Sequence, residues 1–156
     1  VRIVLQRVRE ARVEVDGRVT GQIGKGLLAL VGLAEGDTAA LFPKMLEKVV
    51  ALRIFPDEGG NMNRSLEETG GGLLLVSQFT LYADCRKGRR PGFSGAMAPE
   101  LARALFAAFV EAARTRYSGG AVETGEFGAM MDVHLVNDGP VTIVLDSGEL
   151  IQKDKV

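Results

Sequence analysis

A single cysteine, Cys85, and a single histidine, His134, leave this 156-residue sequence with neither an internal disulfide nor a Cys/His cluster for a structural zinc. Long apolar runs are also missing. The longest, Leu27 to Leu33, is broken by Gly32 and falls far short of the ~20 residues that cross a bilayer. The first residues, Val1-Arg2-Ile3-Val4-Leu5-Gln6-Arg7, alternate like a strand and lack the apolar stretch and small-residue cleavage site of a signal peptide, so a cytoplasmic protein is expected. A formal net charge of −1 provides no global attraction to nucleic acid, so any RNA contact must come from a local patch. With 46% hydrophobic and 25% charged residues, disordered and fibrous classes are set aside, and the length fits one domain with a sizeable core.

Strands dominate the first part of the chain. Ala11, Val13 and Val15 alternate with Arg12 and Glu14, Asp16-Gly17 is a hairpin turn, and Val19 to Ile23 returns. Leu27 to Val31 is short and continuously apolar, as expected of a strand covered on both faces. Asp37-Thr38 is a candidate cap for a helix carrying Leu41, Met45, Val49 and Leu52, with Pro43 predicting a kink or a late start. A turn-rich loop at 56–61 and the triplet Gly70-Gly71-Gly72, read as a flexible turn, precede a buried strand, Leu73 to Val76. A second helix opens at Pro99, places Leu101, Leu105, Ala108 or Phe109, and Ala112 on one stripe, and stops at Gly119-Gly120. Strand patterns then resume at 131–135 and 141–145, and 148–156 reads as a polar tail. Two helices that follow blocks of strands give an α+β class with a mixed or mostly antiparallel sheet.

The familiar catalytic constellations do not appear. His134 alternates with Met131, Val133 and Leu135, which puts it on the polar face of its strand as a solvated side chain. Cys85 sits beside Arg86 and Lys87, cations that favour a thiolate, but without an obvious partner base it reads as a loop cysteine. Glu67-Glu68 reads as a solvated turn, and the glycine triplet lacks the Lys-Ser or Lys-Thr of a phosphate loop.

Two places stand out. Ser77-Gln78-Phe79-Thr80 ends a buried strand with hydrogen-bonding groups; either these meet a substrate or Gln78 and Thr80 lie on the solvent face, and pattern alone leaves both open. The basic run Arg86-Lys87-Gly88-Arg89-Arg90 follows, with Phe79, Tyr82 and Phe93 available to stack a base. Asn137-Asp138-Gly139-Pro140 reads on spacing alone as a turn between two strands.

Taken together, VLQRV at 4–8, SQFTLYAD at 77–84, the adjoining RKGRRP, GEFGAMM at 125–131 and NDGPVT at 137–142 resemble the bacterial D-aminoacyl-tRNA deacylase family, in order, through nearly all of residues 1–147. The resemblance implies a barrel-like, β-rich homodimer with one domain over 1–147, no metal and no cofactor. It would hydrolyse the ester of D-aminoacyl-tRNA, and of mischarged glycyl-tRNA. Gly139 and Pro140, joined by a cis peptide and oriented by Arg7, would reach the other subunit's active site and exclude L-side chains by clash. Ser77, Gln78, Phe79 and Thr80 would line the pocket for the terminal adenosine and the ester, together with Met131. Arg86, Lys87, Arg89 and Arg90 would hold tRNA phosphates.

The same resemblance gives Thr80 a place once assigned to a nucleophile. No general base is visible beside it, and an unactivated hydroxyl is a poor nucleophile at neutral pH. Backbone N–H groups near Phe79 and Thr80, forming an oxyanion hole while the RNA 2′-OH assists a water, give a better mechanism for an ester that is already activated. The alternative function is a tRNA-binding module without chemistry that uses the 86–90 loop.

Overall fold

The opening alternation becomes one long strand, β1 (Arg2–Val15), which organises everything after it. Asp16 and Gly17 both take positive φ, 49° and 76°, as a tight two-residue hairpin turn demands, and β2 (Arg18–Ile23) and β3 (Gly26–Gly32) follow. The computed structural model describes residues 1–151; the remainder of the expected polar tail, 152–156, lies outside the described residues.

Helix α1 (Phe42–Ala51) starts later than Asp37-Thr38, and neither residue caps it. A 3-10 turn at Ala39–Leu41 intervenes, Thr38 makes no capping bond, and the Asp37 carboxylate instead accepts the Ala34 N–H at 2.7 Å. Pro43 thereby falls in the first helical turn, where its missing N–H costs nothing. The 56–61 loop connects a small hairpin, β4 (Phe55–Pro56) and β5 (Met62–Arg64).

Glu67-Glu68 is not a loop pair: it belongs to a helical turn, α2 (Leu66–Thr69), with a reciprocal Ser65/Glu68 capping box and with Glu67 paired to Arg116. Gly70, at φ 68°, is the left-handed C-cap of that turn, so the glycine triplet is a structured stop rather than a flexible link. Beyond it lie β6 (Gly72–Ser77), α3 (Pro99–Arg116), β7 (Val122–Thr124), β8 (Asp132–Asp146) and α4 (Ser147–Leu150). The expected tail therefore begins as helix: Asp146 caps α4 and Leu150 packs on the main core.

The sheet is mixed. β1 is antiparallel to β2, β3 and β8, whereas β3–β6 and β6–β7 are parallel. β8 runs along one edge of β1, while the other edge pairs first with β3 and then with β2. The sheet curls almost into a barrel, because β2 returns against β7: at Gly21 any side chain would collide with the Thr124 carbonyl. Both faces of the central strands are covered, as the continuous apolar runs require. Leu27, Ala29, Leu73 and Leu75 enter the main core under α1 and α3, where Phe42 and Phe109 meet edge to face at 5.0 Å, and Leu28, Leu74 and Val76 enter a second cluster with Val8 and Val13.

The turn expected at Asn137-Asp138-Gly139-Pro140 is absent. β8 continues through it as one strand, and the segment is a bulge. Asn137 is opposite Val8 and Thr142 opposite Gln6, so four residues of β8, 138 to 141, stand against Arg7 alone.

Candidate active site

β6 delivers Ser77 to the end of the sheet, and Gln78 is held there by its N–H on the Val31 carbonyl at 2.8 Å. The chain then tightens into a 3-10 turn, Phe79–Tyr82, whose first closing bond runs from the Leu81 N–H to the Gln78 carbonyl at 3.3 Å. The N–H groups of Phe79 and Thr80 precede that bond and are left over from the turn's own pattern. Gln78 Nε2 donates to Thr80 Oγ1 at 2.5 Å, so the hydroxyl is engaged by an amide and not by a base. Tyr82 stays a neutral phenol, because burial, with Asp37 and Asp146 nearby, pushes its pKa upward.

Ser77, Gln78 and Phe79 line a cleft of about 530 Å³ against the start of α3 and the 127–128 segment. Its walls are mostly apolar, supplied by Met97, Ala102 and Phe127 among others. Phe79 and Phe93 meet edge to face at 5.1 Å on its rim and are both exposed, which presents ring surface to a planar ligand.

The basic loop leaves this rim and returns to it. Backbone bonds in both directions between Asp84 and Gly92, 2.7 and 2.9 Å, close it at the base. Inside, Arg86 is folded onto Asp84 with two side-chain bonds of 2.9 and 2.8 Å, and this guanidinium holds the Asp84 carboxyl below its ordinary value. Lys87, Arg89 and Arg90 are exposed.

Arg7 is almost fully buried beneath the β8 bulge. Its Nε donates to the Asp138 carbonyl at 2.9 Å and its Nη1 to the Ile54 carbonyl at 2.6 Å. Gly139, at φ 128°, and Pro140 are joined by a cis peptide and stand exposed above it. A side chain at Gly139 would come within 3.0 Å of Arg7 Nη2. The bulge does not line the Ser77–Phe79 cleft of its own chain.

Residues 4–146 match the family model described as D-Tyr-tRNA(Tyr) deacylase. A D-aminoacyl-tRNA deacylase of Paracidovorax citrulli (strain AAC00-1) is 61% identical over 142 residues, covering 91% of this chain and 90% of the relative. That of Chlorobaculum tepidum is 57% identical over 147 residues, 94% of this chain and 97% of the relative. The chain belongs to the D-aminoacyl-tRNA deacylase family. Among solved structures, one titled c-Myc DNA Unwinding Element Binding Protein is 39% identical with a TM-score of 0.88, covering 94% of this chain and 98% of that one. A probable eukaryotic D-amino acid tRNA deacylase shares the fold, with a TM-score of 0.75 at 22% identity over 92% of this chain and 97% of that one.

For a member of this hydrolase family, the residues singled out in the sequence fall into two groups. Ser77, Gln78, Phe79 and Thr80 follow one another from the end of β6 into the turn, but Thr80, expected in the pocket, lies outside the cleft lining; the loop of Arg86, Lys87, Arg89 and Arg90 comes next. Arg7, Gly139 and Pro140 form the other group, on the β1–β8 ribbon. Met131, expected in the pocket, packs instead against the second core cluster; the same GEFGAMM motif sends Phe127 and Gly128 into the cleft. His134 is exposed beside Glu14, 3.5 Å away and remote from the cleft, and Cys85 is exposed in the basic loop. Sequence reasoning passed over the N-terminal end of α3, whose Pro99 was read only as a helix start, and Arg2, which reaches the Leu81 carbonyl from the first residue of β1.

Proposed function

We propose that the chain hydrolyses the ester of D-aminoacyl-tRNA, and of glycyl-tRNA, in the cytoplasm, as a homodimer whose two sites are each completed by the partner's Gly139-Pro140 bulge. The apolar cleft takes the terminal adenosine, with Phe79 and Phe93 against the base. The leftover N–H groups of Phe79 and Thr80 receive the oxyanion that forms as water attacks the carbonyl, and the RNA 2′-OH assists that water. Positioning and electrostatics suffice because an aminoacyl ester is already activated. The bulge discriminates by repulsion: its carbonyls face the substrate α-carbon where an L-side chain would project, so a D-residue or glycine fits and many D-residues are accepted.

The observation that carries this reading is the bulge. Its Gly139 and Pro140 are exposed, it is held by a buried guanidinium, and it lies outside the Ser77–Phe79 cleft of its own chain. Such a feature needs a partner. β8 also has no second strand neighbour among the described residues, and it carries the exposed Val136 and Val144, which supports a second copy covering this ribbon.

The test is hydrolysis of D-tyrosyl-, L-tyrosyl- and glycyl-tRNA side by side by purified protein. Loss of the D- and glycyl-esters with the L-ester spared is expected. Equal hydrolysis of the L-ester would remove the chiral role of the bulge. Retained tRNA binding with no ester cleaved would replace the enzyme by a binding module, the reading that a close structural relative titled for DNA-element binding keeps specific.

A further inference from the structure

We propose that Arg2 is a positioning residue: it fixes the Phe79–Tyr82 turn from behind and ties it to the strand that carries Gly139-Pro140. The inference rests on the role given above to the Phe79 and Thr80 amides. Arg2 opens β1 and is held on three sides. Its Nη1 donates to the Leu81 carbonyl at 2.8 Å, its Nε donates to Asp146 Oδ2 at 2.9 Å, and its guanidinium carbon lies 4.7 Å from the centre of the Tyr82 ring. Asp146 is itself fixed, since its other oxygen accepts the Gly148 N–H at 2.8 Å.

This grip falls where the turn is weakest. The turn's first closing bond, Leu81 N–H to Gln78 carbonyl, is 3.3 Å long, near the limit of a useful hydrogen bond, against 3.1 Å for the Ala83 N–H on the Thr80 carbonyl. Peptide planes in so short a turn are not fixed by their own ladder, and a tilt of the Leu81 carbonyl carries the preceding amides with it. Gly32, the cross-strand partner of Arg2 on β3, lets the turn approach the sheet closely, leaving no room for a side chain between itself and Leu81 or Tyr82. The turn thus lies down on a bare strand position, and the planar cation beside that position holds it there. A guanidinium serves both bonds and the ring at once; an ammonium, a point donor without a planar fork, cannot.

β1 then carries two guanidiniums with parallel tasks. Arg2 holds the Leu81 carbonyl in the ester-binding turn, and Arg7 holds the Asp138 carbonyl in the bulge. Through Asp146, Arg2 also couples the turn to the end of β8.

The test compares Arg2→Met, Arg2→Lys and Asp146→Asn with wild type for kcat and KM on D-tyrosyl-tRNA, and follows backbone amide exchange across residues 79–83. Arg2→Met is expected to lower kcat about tenfold with KM within about twofold, the mark of an interaction that matters in the transition state. Amide exchange should quicken at 79–83 and stay unchanged in α1 and α3. Arg2→Lys should fall between, Asp146→Asn should show a smaller loss of the same kind, and added guanidinium should restore part of the activity of Arg2→Met. Wild-type kcat in Arg2→Met, or faster exchange throughout the molecule, would overturn the proposal. If wild type cleaves no ester, the functional reading fails, and exchange at 79–83 alone decides Arg2: an unchanged profile in Arg2→Met rejects it.

Discussion

Arg7 Nε donates to the Asp138 carbonyl at 2.9 Å while the same guanidinium reaches the Ile54 carbonyl at 2.6 Å, so one buried cation joins the β8 bulge to the entry of the β4–β5 hairpin. Nothing apolar can replace it. Each carbonyl left buried without its donor costs about 1–3 kcal/mol. With two carbonyls involved, Arg7→Met is therefore expected to lower stability by about 2–6 kcal/mol on that basis, measured by urea unfolding. In the protein that remains folded, the ratio of D-ester to L-ester hydrolysis should fall, because the bulge is no longer held. An unchanged ratio would separate Arg7 from chiral selection.

Thr80→Val removes a hydroxyl whose neighbour is Gln78 Nε2. If backbone amides carry the chemistry, kcat should fall less than about tenfold, since only their orientation is touched. Single-turnover hydrolysis measures this directly. A collapse of several orders of magnitude with tRNA affinity intact would make the hydroxyl itself a reactant.

The basic loop should divide unequally. Lys87, Arg89 and Arg90 are exposed and form no ion pair among the described residues, whereas Arg86 is occupied by Asp84. Alanine at 87, 89 or 90 should reduce the salt dependence of tRNA binding by about 0.7–0.9 in log–log slope for each phosphate no longer neutralised. Arg86→Ala should change it less. Filter binding across a salt series distinguishes them.

The Asp84–Arg86 pair also predicts a pH response. A carboxylate held below its ordinary value contributes stability that is complete above its unfolded pKa, about 3.9. That contribution is lost only as pH falls through the lower folded value. Loop geometry should therefore be flat from neutral pH down to about pH 5 by that linkage, followed by the Arg86 Nε–H resonance. A transition near pH 6 would contradict the pairing.

Cys85→Ala should leave hydrolysis unchanged, because the thiol is exposed in the loop and lies outside the cleft lining. Activity lost on this substitution, or on thiol alkylation of wild type, would restore a cysteine mechanism.

The strand segments and the existence of both long helices were largely legible, because period-two and helical patterns report burial, but the stripe on α3 was read on the wrong residues: Leu101 is exposed, and Ala102, Phe106, Phe109 and Ala113 face the core. Ser77 to Thr80 could be placed at a strand end for the same reason. What misled was chemistry that serves two structures. Asp, Gly and Pro are turn formers, so 137–140 reads as a turn; only the register against β1, with Arg7 alone facing four residues, makes it a bulge in one strand. Glu67-Glu68 reads as loop because a four-residue helix is too short for a periodic signal, although Ser65 and Glu68 already had capping-box spacing. Met131 resembled a pocket residue by motif, yet its alternation with Val133 and Leu135 on the strand was the better guide to its packing. Arg2 carried no signal at all, since its three partners lie about eighty and more than one hundred forty residues away.

The paired Asp84–Gly92 bonds make the basic loop a cassette. Closed at its base, it passes no strain to the cleft when residues are inserted, deleted or recharged between 85 and 91. A segment lengthened or rewritten there is therefore expected to leave the cleft beneath as it is, and chimaeras that exchange it between family members should keep their fold and their ester chemistry.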